Sequence, residues 1–316
     1  MNWKSSFAKS LGIATMTVAM ATAAHAAALR TFVSGFGNDS NTATNCSHAQ
    51  PCRTFAMAVT VTAPGGEIEA LDPAGYGPIT INGPLTLVGL PGAAINVPSG
   101  GLGVYINAGA SDIVHLDGLL VDGGNVGVNG IVFGNGKLLT VENCTVRNMT
   151  GDGLVVGPTF STASVAVSNS YFDGNGNAGI LIETLESGAV SASVDRTGLY
   201  GNAIGVSVSG QVGTGALYVA VTDSVATQNM TGFAAFAQAG HSATNLSLTH
   251  VLAEGNTTGI QSDGPATLWL AQSTVTGNGL HGFAVTGSGG VINTYQDNYI
   301  ANNGLNTGSL TTIGKQ

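Results

Sequence analysis

The chain has 316 residues, of which 48 are glycine; 43% are hydrophobic, only 8% are charged, and the formal net charge is −9. This apolar fraction excludes an intrinsically disordered chain, which needs low hydrophobicity. The excess of acidic residues argues against nucleic acid and anionic membranes as partners. It also weighs against tight binding of polyanionic polysaccharides, unless a cation bridges them.

Residues 1–26 have the pattern of a secretory signal peptide. Lys4 and Lys9 precede an apolar segment from Leu11 to Ala24, and Ala24-His25-Ala26 is a small-residue cleavage site. A retained anchor helix is the alternative, but the apolar segment is short for a membrane span. Cleavage would leave six basic and seventeen acidic residues, a net charge of about −11. We therefore expect export to the periplasm or the extracellular space, with no membrane insertion after cleavage.

Residues 27–66 are predicted to form an N-terminal cap made of a strand, a polar loop and a helix. Cys46 and Cys52 lie close together in the loop, and an exported protein can keep a disulfide between them. The segment from Cys52 to about Thr62 is the best helix candidate, and Pro64-Gly65-Gly66 is expected to end it. Such a cap would cover the open apolar end of a repeat protein.

Residues 67–304 are predicted to form a solenoid, because a short sequence repeat recurs between Leu139 and Asn303. Each repeat has alternating apolar residues, a polar break, a second short apolar stretch, and then Gly-Asn or its equivalent. The asparagine recurs at Asn175, Asn202, Asn229, Asn256, Asn278 and Asn303. A period of roughly 25 residues is typical of solenoid proteins.

The unit predicts strands and not helices, because its apolar residues alternate with period two. A unit of this length fits an all-β, single-stranded, right-handed parallel β-helix with three sheets. About nine coils are expected, and they would make a rod about 40 Å long at the strand spacing. Residues 305–316 are polar and are predicted to be a weak cap or a frayed tail.

The recurrent asparagine is predicted to adopt the left-handed conformation at a tight turn. Its side-chain amide is expected to bond the asparagine one coil above and below, which would form a ladder. A glycine three or four residues later marks the entry to the third strand of each coil; the set is Gly179, Gly205, Gly232, Gly259 and Gly282. Cys144 lies inside the repeat and is predicted to be a small buried residue.

The N-terminal passage resembles the opening of many secreted bacterial members of the pectin-lyase-like superfamily. The segments that carry this resemblance are Phe32-Val33-Ser34, Gly37-Asn38-Asp39, Pro51-Cys52-Arg53-Thr54-Phe55, Ala63-Pro64-Gly65-Gly66-Glu67-Ile68 and Gly75-Tyr76-Gly77. The resemblance implies a right-handed parallel β-helix and leaves the activity open. The superfamily includes polysaccharide lyases, hydrolases, epimerases, phage tailspikes and adhesin-like proteins. In its lyases, the carbohydrate lies along the first sheet, carboxylates there hold calcium, and a Lys or Arg abstracts a proton.

Three outward-facing rows can be read along the predicted first sheet. The first row is Thr140, Ala166, Ser193, Ala220, Ser247 and Trp269. The second row is Glu142, Ser168, Asp195, Thr222, Thr249 and Ala271. The row at the following bend, the bend row, is Asn143, Asn169, Arg196, Asp223, His250 and Gln272.

Arg196, Asp223 and His250 are the candidate catalytic residues, because they occupy one row in three successive coils, with Asp195 beside them. An arginine, a carboxylate and an imidazole about 5 Å apart could bind an acidic sugar or move a proton. The alternative is a surface ion pair beside a histidine at a solvated bend. Trp269 and Asp195 are the candidate ligand-binding residues. Trp269 is a candidate platform on which a sugar stacks, and the alternative is that it covers a loop.

A calcium site would need several aspartates on adjacent coils, and the repeat has no such run. We therefore expect neither a metal nor another cofactor. The leading hypothesis is an exported, non-catalytic β-helix protein that binds carbohydrate or another surface partner. One alternative is a polysaccharide lyase or glycoside hydrolase that acts along the first sheet. A second alternative is a structural, tailspike-like oligomer component, and the oligomeric state stays open.

Overall fold

The computed structural model describes residues 27–159 and 162–314. The predicted signal peptide, residues 1–26, lies outside the described residues. Within the described ranges, no helix has the length and apolar character needed to cross a membrane.

The described chain folds into three parallel sheets, with one strand of each sheet contributed by almost every coil. The first sheet has twelve strands: Ala28–Val33, Thr62–Ala70, Leu85–Val88, Ile113–Asp117, Leu138–Glu142, Ala163–Ser168, Val190–Asp195, Leu217–Thr222, Thr244–Thr249, Thr267–Ala271, Val291–Thr294 and Leu310–Thr312. The second sheet has nine: Ala94–Asn96, Leu120–Asp122, Thr145–Arg147, Tyr171–Asp173, Gly198–Tyr200, Val225–Thr227, Leu252–Glu254, Thr274–Thr276 and Tyr299–Ala301. The third sheet also has nine: Ile79–Ile81, Leu102–Asn107, Asn129–Asn135, Leu154–Val156, Ala178–Glu183, Ile204–Gly210, Thr231–Ala237, Thr258–Asp263 and His281–Thr286. The predicted right-handed parallel β-helix is confirmed.

The core lies between the three sheets, and in it similar apolar residues of successive coils stack on one another. In the first sheet, the inward residue of one strand pairs in register with the inward residue of the next, as in Val219, Leu246 and Leu268. All three side chains are buried. Because strands one coil apart are about 4.8 Å apart, each aliphatic side chain packs directly on its equivalents above and below.

The N-terminal cap contains a disulfide between Cys46 and Cys52, a 3-10 helix, Asp39–Thr44, and an α-helix, Phe55–Ala58. The α-helix is shorter than predicted. The chain after it enters the strand Thr62–Ala70, which pairs with Ala28–Val33 on one side and with Leu85–Val88 on the other. The backbone hydrogen bonds on both edges of this strand outweigh the weak helical preference of the segment from Val59 to Thr62.

The segment Pro64-Gly65-Gly66, predicted to end the helix, lies inside that strand. The register between the two strands shifts there, from Ala28 opposite Thr62 to Arg30 opposite Glu67. The extra residues form a bulge, which accommodates a proline that has no N–H to donate. At the other end of the chain, part of the predicted tail adds the strand Leu310–Thr312 to the first sheet.

The six recurrent asparagines lie in one file at the turn between the second and third sheets. Each side-chain Nδ2 donates to the Oδ1 of the next asparagine, at distances between 2.8 and 3.1 Å. Each Oδ1 after that of Asn175 also accepts the backbone N–H of the asparagine in the preceding coil. The side chains of the first five are 1 to 3% exposed. This asparagine ladder therefore satisfies buried polar groups in every coil.

The left-handed conformation at this turn belongs to the residue before each ladder asparagine, which corrects the prediction. These residues have φ between 58° and 64°: Gly174, Gly201, Gln228, Gly255, Gly277 and Asn302. The ladder asparagines themselves are not among the residues with positive φ. The left-handed residue reverses the chain, so that the next side chain points into the stack and meets its equivalents.

A second file of polar residues follows the bend row, and the sequence analysis did not identify it. The hydroxyls of Ser170, Ser224 and Ser273 each accept a backbone N–H from the preceding coil at 3.1 Å. Cys144 occupies the same file, and it is a buried free cysteine. Burial raises the pKa of its thiol to about 12, which leaves it inert as a nucleophile at neutral pH.

Candidate functional site

A shallow groove of about 560 Å³ runs along the outer face of the first sheet. The strand pairings place Thr140, Ala166, Ser193, Ala220, Ser247 and Trp269 in one register. These six residues form a lane along the sheet. It is about 24 Å long, because five spacings of about 4.8 Å between neighbouring strands separate its ends. Its floor consists of the alanine and serine side chains of the first row, from Ala166 to Ser247. The floor is low because each of these four coils presents a side chain of one or two heavy atoms beyond Cα.

Trp269 lies at one end of the groove and is only partly exposed. It replaces the small residue that the preceding coils carry at this position, so its ring rises above the floor next to Ser247. An indole at the end of a lane of small residues is well placed to pack against a flat apolar face of a ligand.

Tyr218 forms a side wall of the groove, and the sequence analysis did not select it. It lies two positions before the first-row residue of its strand, in a row in which its register partners are Ser191 and Asn245. Its side chain is 59% exposed. The signal was present in the alternation of the strand Leu217–Thr222, where an outward tyrosine stands among serine and alanine positions.

The candidate catalytic residues lie outside the floor of the groove, at the bend that follows each strand of the first sheet. Arg196, Asp223 and His250 all have positive φ, at 45°, 47° and 54°. Backbone strain at a non-glycine residue can mark an active site. Here the same conformation is adopted by the uncharged members of the row, Asn143, Asn169 and Gln272. The strain is therefore a property of this turn in every coil and does not single out the charged residues.

The structure divides these residues into two separate exposed pairs. Arg196 forms an ion pair with Asp195 and also donates from Nε to Asn169 Oδ1 at 2.9 Å. Asp223 Oδ1 lies 3.6 Å from His250 Nδ1. The side chains of Arg196, Asp223 and His250 are 59%, 55% and 51% exposed. Ion pairs that are this exposed contribute little to stability. A reacting group at this bend would also remain in contact with water.

The residues at the groove do not fit a calcium ion. Among the described residues, no group of three or more His, Cys, Asp or Glu side chains could hold a metal. The carboxylates beside the groove are Glu142 and Asp195 of the second row, two coils apart, and Asp117, the register partner of Glu142 in the coil before it. Calcium takes six to eight oxygen ligands, and two neighbouring carboxylates supply too few.

Two carboxyl groups on the third-sheet side have raised pKa values. Burial raises the pKa of Asp152, although its Oδ1 accepts hydrogen bonds from Ala178 N–H at 2.9 Å and Asn177 Nδ2 at 2.8 Å. Burial, followed by the charge of Asp152, raises the pKa of Glu183. These groups lie on a different side of the stack from the groove, so they play no part in it.

No family model and no curated protein matches the sequence. Among solved structures, a pectate lyase, Pel9A, aligns over 90% of this chain and 77% of its own length, at 15% identity and a TM-score of 0.51. Its likeness decides the fold. The chain has a pectin-lyase-like fold.

Two further structures align with TM-scores below 0.5. The ORF18 protein of Geobacillus virus E2 has 14% identity, covers 81% of this chain and 55% of its own, and scores 0.45. The A-module of the mannuronan C-5 epimerase AlgE4 of Azotobacter vinelandii has 16% identity, covers 79% and 87%, and scores 0.41.

On this pectin-lyase-like fold, the groove lies on the sheet where the sequence resemblance places carbohydrate. The first sheet is the one that precedes the bend row, and the asparagine ladder follows the second sheet. The lining contains aliphatic, hydroxyl, amide and aromatic side chains, and it lacks the carboxylates and the Lys or Arg that the resemblance implies for a lyase site.

Proposed function

We propose that the protein is exported and binds a glycan chain, without cleaving it, in the groove along its first sheet. The observation that carries the proposal is a lane of small side chains flanked by the rings of Tyr218 and Trp269. Sugar rings have an apolar C–H face that packs on aromatic rings, and their hydroxyls bond to serine and asparagine side chains. The coil spacing and the length of the lane suit an extended chain of several sugar rings.

Export is supported by two features of the chain. Residues 1–26 have a signal-peptide pattern. The disulfide between Cys46 and Cys52 is of a kind that persists in oxidising compartments. The fold is shared with a pectate lyase, but a fold by itself assigns no activity.

One experiment distinguishes glycan binding alone from glycan cleavage. A panel of polysaccharides is tested for binding by calorimetry and for new reducing or unsaturated ends after long incubation. We expect binding without new chain ends. Trp269→Ala and Tyr218→Ala should each weaken binding by about tenfold or more, as expected for loss of an aromatic anchor.

Tyr171→Ala is the matched control, because Tyr171 is 53% exposed but lies on the second sheet. It should leave binding unchanged, and equal denaturation midpoints would show that all variants are folded. Cleavage that disappears in Arg196→Ala or His250→Ala would contradict the proposal and establish the alternative, a lyase or hydrolase at the bend row. Binding to no glycan would also refute it.

A further inference from the structure

The charges beside the floor of the groove are carboxylates. The second row runs along the floor, because side chains two positions apart on one strand face are about 7 Å apart. This row contains Glu142 and Asp195, and Asp117 extends it by one coil beyond the strand of Leu138, where the lining of the groove ends. Asp117 and Glu142 are register partners in adjacent coils, so two negative charges lie side by side at one end of the groove.

Among the described residues, Asp195 is the one carboxylate of this row with a cationic partner, Arg196 on the neighbouring bend. The lining residues include neither lysine nor arginine. Arg196, on the neighbouring bend, is already bonded to Asp195 and Asn169. Lys137 is exposed just before Leu138, where the groove ends. Away from that end, a carboxylate on a ligand would therefore lose water without gaining a cationic partner, which is costly.

The groove instead presents groups that suit uncharged sugar rings. Four serine hydroxyls, those of Ser164, Ser191, Ser193 and Ser247, line it and can donate or accept hydrogen bonds. The two aromatic rings supply apolar packing. The aromatic packing needs no charge on the ligand, and the hydroxyls can bond the hydroxyls of neutral sugars. The carboxylates at the end of the groove are then the element that discriminates between ligands.

We propose that the groove selects a neutral glycan chain over uronic-acid polymers, because no lysine or arginine lines it and the carboxylates of Asp117 and Glu142, which form no ion pair in the described part of the chain, lie at one end of it. This inference rests on the proposed function and names the class of glycan. Neutral β-glucan, mannan or galactan chains are of this class. The corresponding chains with a carboxyl group at C6 are expected to bind more weakly because of like-charge repulsion.

The test uses pairs of oligosaccharides that differ only in a hydroxymethyl or a carboxylate at C6, such as cellohexaose and the hexamer of β-1,4-linked glucuronate. In whichever pair binds, we expect the neutral member to bind about tenfold more tightly at low salt. Two like charges about 6 Å apart in water cost about a threefold loss of affinity, and two such pairs give about tenfold. The difference should shrink at about 1 M salt, where the Debye length falls to about 3 Å.

Glu142→Gln removes one charge beside the groove and should strengthen binding of the uronate about threefold, with the neutral member unchanged. Glu254→Gln is the matched control, because Glu254 is an exposed carboxylate on the second sheet. It should change neither affinity.

Equal or tighter binding of the uronate member, with or without added calcium, would overturn this inference and leave glycan binding intact. Binding of neither member in any pair would refute the proposed function itself.

Discussion

Replacing Asn229 with alanine removes a middle member of the asparagine ladder. Its Oδ1 accepts from Asn202 N–H at 2.9 Å and from Asn202 Nδ2 at 3.1 Å, and its Nδ2 donates to Asn256 Oδ1 and to Leu199 O, both at 3.0 Å. The residue is 3% exposed, so water cannot easily replace these bonds. One orphaned backbone N–H costs about 2 kcal/mol, and the remaining lost bonds add about 1 to 2 kcal/mol. We expect a total loss of about 3 to 4 kcal/mol.

The assay is urea denaturation followed by circular dichroism, with stability obtained from the midpoint and the slope. Asn303→Ala is the matched control at the end of the ladder, where the side chain is partly exposed. Water can take over its acceptor role towards Asn278, so we expect a loss of about 1 kcal/mol. If Asn229→Ala cost no more than Asn303→Ala, the ladder would not be a buried stabilising element and the reasoning would be wrong.

Two further predictions concern close packing and buried charge. Gly232→Ala should destabilise the protein by about 2 kcal/mol or more, because the added Cβ would lie 2.5 Å from Gly259 O in the next coil. Gly83→Ala, where a Cβ meets nothing within 4 Å, should change stability by less than about 0.5 kcal/mol in the same denaturation assay; equal effects would contradict the argument. Asp152→Asn should raise stability at pH 7 by up to about 1 kcal/mol. The raised pKa of Asp152 means that the folded state holds its proton more tightly, so native stability is lost as pH rises above the ordinary value of 3.8. The gain should vanish near pH 3, and a gain that is independent of pH would refute this account.

The stacking of coils could be predicted from the sequence because each coil repeats the same alternation. The period sets which residues are register partners, and the rows read from the sequence are the rows of the first sheet. The asparagine file follows from the same spacing. A stack of this kind tolerates the unequal spacing of its asparagines, because insertions enlarge loops and leave the strand pairings in place.

The local conformations could not be predicted in the same way. Glycine and asparagine both favour the left-handed region, so Gly201-Asn202 does not reveal which of the two adopts it. The hydrogen bonds between coils decide, since they require the asparagine side chain to point inward. The short helix Phe55–Ala58 shows the same limit, because the strand that follows it is stabilised by partners distant in the sequence.

The candidate site could be predicted in position but not in its contacts. Spacing alone aligned Arg196, Asp223 and His250 in one row. It could not indicate that Arg196 turns towards Asp195 while Asp223 turns towards His250, because side-chain directions at an exposed bend depend on their neighbours. Tyr218 was missed for a different reason: its row lies before the three rows that were read from the sequence, at the start of each strand.

Trp269 provides the most direct measurement of the central claim, that a neutral glycan occupies the groove. The chain contains two tryptophans, and the other is Trp3, within the predicted signal peptide. In the chain from Ala27 onward, tryptophan fluorescence therefore reports only on the end of the groove. We predict a saturable shift in emission when a neutral hexasaccharide is added, retained in Tyr171→Ala and weakened about tenfold in Tyr218→Ala. Glycan binding detected by calorimetry with no change in the emission of Trp269 would place the ligand elsewhere and contradict the account.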